Sequence, residues 1–265
     1  MKETAYAKIN LALHVRRRRD DGYHELETLF AFVDHGDQLT VETASRDELH
    51  VSGEFAAGLN DPFGNIVGKA LGKLPRPEGW RISLDKRLPV AAGLGGGSAD
   101  AGAVFRLFDQ RYGLPDVWRE RAAKLGADVP ACVESRTCIG RGTGAELEMG
   151  PQDLAGTPVL LVNPRVPLAT EAVFAAWDEV DHGPLPGGSA REIALAGRND
   201  LEPPALALCP AIGEVLAALR DTDAWLVRMS GSGATCFALF DSVEARDAAA
   251  ASVDLGWWRM AGHLR

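Results

Sequence analysis

The chain has 265 residues, 46% of them hydrophobic and 25% charged, which is the balance of an ordinary globular protein with one large or two ordinary domains. Its formal net charge of −9 argues against a general surface for nucleic acid or for acidic membranes. The sequence lacks an apolar stretch of membrane-spanning length and the pattern of a signal peptide, so we expect a cytoplasmic protein.

The four cysteines have no short paired spacing and no histidines at metal-ligand intervals. They are Cys132, Cys138, Cys209 and Cys236. This pattern predicts reduced thiols in core or strand positions, which suits the cytosol.

The first predicted element is a half-buried strand, because apolar residues alternate with period two from Ala5 to Val15. Lys8 and Asn10 lie two residues apart and therefore share one face of this strand. That polar face is either a solvent-facing sheet surface or the lining of a site, and the pattern alone favours neither. Residues 16–19, four arginines, follow; since two aspartates come next, a solvated loop is the favoured interpretation.

The rest of the first half alternates strands with helices around a glycine-rich loop. The predicted elements are strands at 29–33, 38–43 and 80–84, and helices at 65–74, from Ser98 to just before Gly113, and at 116–125. Glycine and proline are frequent at 150–158, which predicts a boundary between domains at 1–152 and 153–265.

The second domain is predicted to contain a strand at 159–162, helices at 170–179 and 211–220, strands at 225–229 and 235–240, a helix at 243–252 and a strand at 257–260. This order suggests an antiparallel sheet with helices on one face, the ferredoxin-like arrangement. The fold class is therefore α+β.

The glycine-rich loop at 93–98 is the strongest functional signal. Four glycines in five positions stand between a predicted strand and a predicted helix, with Ser98 at the expected helix start. The N–H groups and the positive dipole end of a helix N-terminus bind anions, and glycines let the backbone approach them closely. The spacing is neither a Walker A motif nor a dinucleotide fingerprint. A phosphate site is favoured over a flexible turn.

Asp128 and Lys8 are the candidate catalytic residues. Asp128 follows a predicted helix and stands two residues before Pro130, so we expect it not to continue a helix. Beside a phosphate site an acid can act as general base for an attacking hydroxyl, although alone it would most often be a turn residue. A lysine nearby would hold that acid ionised and stabilise charge on a transferred phosphoryl group. Residues 231–233, Gly-Ser-Gly, predict a tight hairpin or a close approach of backbone to a ligand.

Three segments together resemble the GHMP kinases: residues 7–11, 89–99 and 230–234. Residues 21–26 and the triple glycine are most similar to the branch of this family that phosphorylates a cytidine-diphosphate polyol in non-mevalonate isoprenoid biosynthesis. The resemblance implies a two-domain fold, with a ribosomal-protein-S5-like N-terminal domain, a ferredoxin-like C-terminal domain, and substrates in the cleft between them.

The resemblance also implies roles for particular residues. Asp128 would be the base, Lys8 its partner, and Asn10 would orient the polyol. The expected cytidine contacts are Tyr23, His24, Phe174 and Thr170.

The cofactors implied are ATP and Mg²⁺; the metal ligands are unassigned, with Ser98 the one candidate. Asn65 and Lys86 would lie near the adenine. The phosphate loop would comprise Pro89, Val90, Ala91, Ala92, Gly93, Leu94, Gly95, Gly96, Gly97, Ser98 and Ala99.

The sequence departs from the family pattern at two places, and alternative functions remain. Asp100 is an unexpected negative charge near the phosphates, and the run Ala-Thr-Glu at 169–171 lacks an expected proline.

The alternative functions are another GHMP kinase acting on homoserine, mevalonate or a sugar, a module that binds RNA, and a nucleotide sensor without turnover. The Tyr23–His24 pair argues against the first, and the net charge together with Lys8 and Asp128 argues against the second. The expected partners are a small-molecule substrate and at most a second copy of the chain, with neither nucleic acid nor membrane.

Overall fold

The computed structural model describes residues 1–59, 61 and 64–265. The described strands are β1 (Lys2–Arg18), β2 (His24–Ala44), β3 (Glu48–Ser52), β4 (Gly79–Asp85), β5 (Cys138–Gly142), β6 (Glu146–Met149), β7 (Pro158–Asn163), β8 (Leu226–Met229), β9 (Cys236–Leu239) and β10 (Trp258–His263). The described helices are α1 (Ile66–Leu71), α2 (Gly96–Tyr112), α3 (Trp118–Ala123), α4 (Val129–Glu134), α5 (Thr170–Ala175), α6 (Ala190–Ala196), α7 (Glu202–Leu208), α8 (Ala211–Arg220) and α9 (Val243–Ser252).

A six-stranded sheet is centred on β2, which pairs with β1 along most of its length and with β4 and β5 through its two halves. The strands predicted at 29–33 and 38–43 are one continuous strand. Between them, Gly36 continues the strand by pairing with Tyr6. A Cβ there would lie 1.8 Å from the Ala5 carbonyl oxygen, so the glycine permits a close strand contact at a bulge.

The second sheet has the strand order β10-β7-β9-β8, and all its pairs are antiparallel. Numbered within this sheet alone, the order is 4-1-3-2, with helices between the first two strands and between the last two. This is the ferredoxin-like arrangement, so the predicted fold class is confirmed.

The two sheets pack face to face. Ile9, Leu11 and Leu29 of the first sheet form one cluster with Leu161 and Phe237 of the second. Helices α1, α2 and α4 cover the other face of the first sheet, and α8 and α9 cover the other face of the second. Strand β1 is therefore covered on both faces.

The polar residues of β1 are accordingly buried: Lys8 is 4% and Asn10 is 2% exposed. The solvent-facing alternative for this face is wrong, because helices and the glycine-rich loop cover it. A buried lysine and asparagine need hydrogen-bond partners to offset the loss of water.

Two helix predictions near the site need correction. Helix α2 begins at Gly96 with Gly95 as its N-cap, two residues before Ser98, so the glycine run is itself the first turn. Helix α4 was not expected, because Pro130 was taken to end helical structure; the proline occupies the first turn, where its missing N–H has no intrahelical partner to lose. Asp128 is the N-cap of α4.

We predict that Gly102→Ala destabilises the protein, although alanine is the better helix former. A Cβ at Gly102 would lie 2.5 Å from the Cys132 carbonyl oxygen, so α2 and α4 would have to separate. Overpacking of this kind costs about 1–3 kcal/mol, which thermal unfolding followed by circular dichroism would detect.

Gly97→Ala in the same helix is the matched control. A Cβ at Gly97 meets only the Ile66 side chain, at an ordinary 3.6 Å. We expect its melting temperature to equal or exceed that of the wild type. Equal melting temperatures for the two variants would contradict the packing argument.

Candidate active site

A cleft of about 840 Å³ is lined by residues of β1, β2, the glycine-rich loop and the N-cap of α4. Residues of α5 and of the turn between β8 and β9, from the second half of the chain, complete the lining. Its lining includes Lys8, Asn10 and Asp128, and also His24 and Phe174. Residues widely separated in sequence are thus brought into one cavity of the size that small-molecule sites occupy.

Lys8 and Asp128 are in contact, with the ammonium nitrogen 3.1 Å from one carboxylate oxygen. The lysine side chain is 5% exposed and that of the aspartate 31% exposed. The ammonium also donates a hydrogen bond to the Asn10 Oδ1 atom at 2.9 Å and lies 5.1 Å from the centroid of the Phe30 ring. The buried cation is therefore neutralised from one side, while the carboxylate reaches the cleft.

Asn10 is fixed by its remaining groups. Its Nδ2 donates to the Thr28 hydroxyl at 2.8 Å, and that hydroxyl donates to the Ala12 carbonyl at 2.7 Å. Since the amide nitrogen is bound to Thr28, the asparagine presents its oxygen to Lys8 in one orientation.

The glycine-rich loop is shaped by its contact with Lys8. The Lys8 backbone N–H donates to the Leu94 carbonyl at 3.0 Å. Gly95 has a φ of +60°, and a Cβ there would lie 3.1 Å from the Lys8 Cε atom and 3.8 Å from an Asp128 carboxylate oxygen. Glycine is required at this position both by the backbone conformation and by the approach of the lysine.

The turn between β8 and β9 holds the loop from the other side. Ser230 donates from its hydroxyl to the Gly93 carbonyl at 2.8 Å, and a Cβ at Gly93 would lie 2.1 Å from the Ser230 carbonyl oxygen. Asn199 donates from its side-chain amide to the Met229 and Gly231 carbonyls, each at 2.8 Å. Residues 231–233 thus form both a hairpin turn and a backbone contact with the loop.

Sequence reasoning assigned no role to Ser230 or Asn199. The signal for Ser230 was its place in the segment 230–234, which fitted the family resemblance.

Most of the predicted phosphate loop lines the cleft, and some of it does not. The lining residues are Ala91, Ala92, Gly93, Gly95, Gly96, Gly97 and Ser98. Leu94 and Ala99 are buried beneath the loop, and Pro89 and Val90 precede the lining. Asn65 is the N-cap of α1, and its neighbour Ile66 lines the cleft.

Lys86, which the family resemblance places near a nucleotide base, is committed to other partners in this structure. The side chain is 3% exposed and lies outside the lining, with its ammonium bound to carboxylates of Asp37 and, at 2.8 Å, Asp100. Asp37 also accepts hydrogen bonds from the backbone N–H groups of Arg87 and Leu88. This buried ion cluster joins β2, the approach to the glycine-rich loop and the start of α2.

Asp100 explains the unexpected negative charge near the loop, because its side chain points into this cluster, away from the cleft. Burial raises the pKa of the Asp100 carboxyl well above its usual range, against the opposing charge of Lys86. A protonated Asp100 removes the excess negative charge of two buried carboxylates that share one ammonium.

The predicted base-binding residues lie together at one region of the cleft. The rings of His24 and Phe174 have centroids 4.8 Å apart, and Trp177 meets His24 edge-on at 5.7 Å. Tyr23 is 65% exposed and lines the same cleft. Burial lowers the pKa of His24 and the nearby positive charge of Arg18 lowers it further, so the imidazole is neutral at neutral pH.

Thr170 begins α5 and lies in the lining, with its hydroxyl 3.0 Å from that of Ser232. Aromatic faces beside hydroxyl groups suit a heterocyclic base and its sugar.

All four cysteines are buried free thiols, as predicted. Among the described residues, no group of three or more His, Cys, Asp or Glu side chains is arranged to hold a metal ion. Across the same part of the chain, no helix is both long and apolar enough to cross a bilayer.

We predict that Asp100→Asn changes the dependence of stability on pH. A carboxyl whose pKa is raised by folding stabilises the fold fully below its unfolded pKa of about 3.9, and this contribution is lost as pH rises towards the folded value. The amide mimics the protonated carboxyl at every pH. The melting temperature of Asp100→Asn relative to wild type should therefore increase from pH 4 to pH 7.5.

Asp116→Asn serves as the control, since it removes the same charge from an exposed side chain. Its melting temperature relative to wild type should change little over that pH range. Parallel curves for the two variants would show that Asp100 is ionised in the folded protein.

The chain is similar to known proteins over its whole length. Residues 65–136 match the family described as GHMP kinases N terminal domain, and residues 187–254 match GHMP kinases C terminal. A protein named 4-diphosphocytidyl-2-C-methyl-D-erythritol kinase from Novosphingobium aromaticivorans is 70% identical over 265 residues, which are 100% of this chain and 93% of that protein. The protein of the same name from Erythrobacter litoralis is 60% identical, covering 99% of both chains.

Solved structures show the same relationship. A crystal structure of a 4-(cytidine 5′-diphospho)-2C-methyl-D-erythritol kinase has a TM-score of 0.85 at 35% identity, covering 100% of this chain and 99% of that one. A homoserine kinase from Cytophaga hutchinsonii shares the fold, with a TM-score of 0.68 at 18% identity over 98% of this chain and 95% of its own. The chain belongs to the GHMP kinase family.

Proposed function

We propose that this protein phosphorylates the 2-hydroxyl of 4-diphosphocytidyl-2-C-methyl-D-erythritol with ATP, giving the 2-phosphate and ADP, in non-mevalonate isoprenoid precursor biosynthesis. As a GHMP kinase, the chain is an ATP-dependent small-molecule kinase. The observation that carries the finer assignment is a single cleft lined by the glycine-rich loop, by the Lys8–Asp128 pair and by the ring pair of His24 and Phe174. The full-length relatives named for this substrate support it.

Asp128 is the proposed general base. It takes the proton of the substrate hydroxyl as the oxygen attacks the terminal phosphorus of ATP and the bond to ADP breaks. Its carboxylate reaches the cleft and lies 3.1 Å from the Lys8 ammonium. Lys8 also supplies positive charge near the transferred phosphoryl group, where phosphoryl transfer depends on charge stabilisation. Asn10 fixes the lysine and presents a polar edge to the polyol.

ATP is proposed to place its phosphates against the N-terminus of α2, where the first turn is built of glycines and Ser98 follows. The helix dipole and the free N–H groups favour the anion there. Mg²⁺ binds to proteins through few side chains when phosphates supply the remaining ligands. The Ser98 hydroxyl, which lines the cleft beside the loop, fits that mode, and the ion would neutralise phosphate charge.

The cytosine is proposed to bind between Tyr23 and Phe174, with the neutral His24 hydrogen-bonding the ring edge and Thr170 contacting the same half of the substrate. A base that stacks on aromatic rings gains about 1–3 kcal/mol, in contacts that homoserine, mevalonate or a sugar does not make. This is the structural difference between the proposed activity and the other GHMP kinase activities.

Three further assignments accompany the proposal. The domain boundary is placed between residues 152 and 153, supported by the separation of the two sheets at β6 and β7. A cytoplasmic location is supported by four buried free thiols. The chain acts without nucleic acid, as a monomer or homodimer.

A coupled ADP-release assay with ATP and Mg²⁺ tests the substrate assignment. We expect turnover with the cytidylylated methylerythritol and none with homoserine, mevalonate or galactose. Turnover with another of these alcohols would retain the kinase and exclude the proposed base site. Folded protein that binds ATP without turnover on any substrate would favour a nucleotide sensor.

We predict that Asp128→Asn lowers kcat by about 10²–10⁴-fold, the usual contribution of a general base. The amide preserves the shape of the side chain but cannot accept the proton. ATP affinity, measured by calorimetry, should change by less than about threefold, because the loop residues that bind phosphates are untouched. Parallel loss of ATP binding and of thermal stability would make Asp128 a structural residue.

A further inference from the structure

The four arginines at 16–19 were predicted from sequence to lie in a solvated loop, which is wrong for residues 16–18 because they belong to β1, where Arg17 and Arg18 pair with β2. Three of the four arginines contact carboxylates. Arg16 contacts Glu27 at 3.4 Å and Asp181 at 3.0 Å. Arg17 is paired with Glu25 at 3.8 Å and its side chain is 71% exposed.

Arg19 contacts Asp21 at 3.2 Å and Glu25 at 3.4 Å. The charges of Arg16, Arg17 and Arg19 are therefore committed to neighbouring carboxylates of the protein.

Arg18 differs from these three in both position and partners. It is the member of the run that lines the cleft. Within residues 1–59, 61 and 64–265, no carboxylate lies within ion-pair distance of its guanidinium. In the β1–β2 pairing it is directly opposite His24, so the two side chains lie on the same face of the sheet.

The charged residues of the cleft lining determine whether Arg18 is available to a ligand. The described lining carries the cations Lys8 and Arg18 and the carboxylates Asp128 and Glu171. Lys8 is neutralised by Asp128, and Glu171 is not within ion-pair distance of Arg18. A guanidinium that faces a binding cleft without a protein carboxylate is free to bind an anionic group of a ligand.

We propose that Arg18 is a specificity residue that binds the diphosphate of the nucleotide-linked alcohol substrate. The inference rests on the proposed function. A diphosphate that joins a nucleoside to an alcohol is the anionic part of such a molecule, and it begins at C5′ of the sugar, one ribose ring away from the base. With the base at His24 and Phe174, the diphosphate lies within reach of a long side chain at position 18.

The surrounding lining supports this assignment. Leu13, Leu26 and Thr28, which also line this half of the cleft, carry no charge. Among the described lining residues, Arg18 is therefore the cation available to the substrate diphosphate while Lys8 remains paired. Planar guanidinium groups donate two parallel hydrogen bonds to phosphate oxygens, which gives direction as well as charge.

The test compares the binding of cytidine diphosphate and of cytidine, measured by calorimetry on the full-length protein. We expect Arg18→Gln to weaken the binding of cytidine diphosphate about tenfold, the loss of a charge-assisted contact made by an exposed side chain, and to leave the binding of cytidine unchanged. Arg18→Lys should recover part of the affinity. Because these ligands are not turned over, the comparison does not depend on the reaction.

Steady-state kinetics provide the second readout. Arg18→Gln should raise KM for the cytidylylated substrate by a similar factor, with KM for ATP and kcat within about twofold of wild type. The matched control is Arg17→Gln, one residue away on the opposite face of β1 and outside the lining, which should leave all three parameters unchanged.

Two outcomes would overturn the inference. Equal weakening of cytidine and cytidine diphosphate would assign Arg18 to the base, and unchanged affinity for both would make it a solvent-exposed arginine. Wild-type protein that binds cytidine diphosphate but turns over another alcohol contradicts the proposed function instead, so the two failures are distinguishable.

Discussion

The contact between the Lys8 ammonium and the Asp128 carboxylate is the interaction around which the site is organised. A lysine whose side chain is only 5% exposed requires a negative partner, since burying an unpaired charge costs several kcal/mol. Asp128 supplies that charge from the N-cap of α4, and Asn10 supplies a second acceptor from the same strand as Lys8. The packing of the lysine in turn requires glycine at position 95, which gives the phosphate loop its conformation.

The loop has few side chains of its own, so its position is determined by its surroundings. Ser230 holds it from the second sheet, and Asn199 holds the backbone on either side of Ser230. The cluster of Lys86, Asp37 and Asp100 holds the chain that enters the loop and the helix that leaves it. Both halves of the chain therefore contribute to the proposed phosphate site, although its run of glycines lies in the first half.

Much of this arrangement could be predicted from local sequence. The alternation in β1 predicted that Lys8 and Asn10 share a face, and four glycines before an apolar helix predicted an anion site. The fold class followed from the order of strands and helices. Local pattern could not show that both faces of β1 are covered, because that depends on the packing of one sheet against the other.

Other features depended on distant residues. Gly36 and Pro130 are residues that usually interrupt regular structure, yet here one allows a close strand contact and the other fits the first turn of α4. Lys86 resembled a ligand contact because nothing in the nearby sequence showed that Asp37, 49 residues away, would bind it. Which of the arginines at 16–19 contact a carboxylate likewise depends on acidic residues at other positions in the fold.

The central claim is that Lys8 and Asp128 act as one unit, and a double-mutant cycle on kcat tests it most directly. Lys8→Met, Asp128→Asn and the double variant would be compared in single-turnover experiments with saturating ATP. We predict that the double variant is about as slow as the slower single variant, because each change already removes the function of the pair. Multiplicative losses in the double variant would mean that the two residues act independently, and would contradict this account of the site.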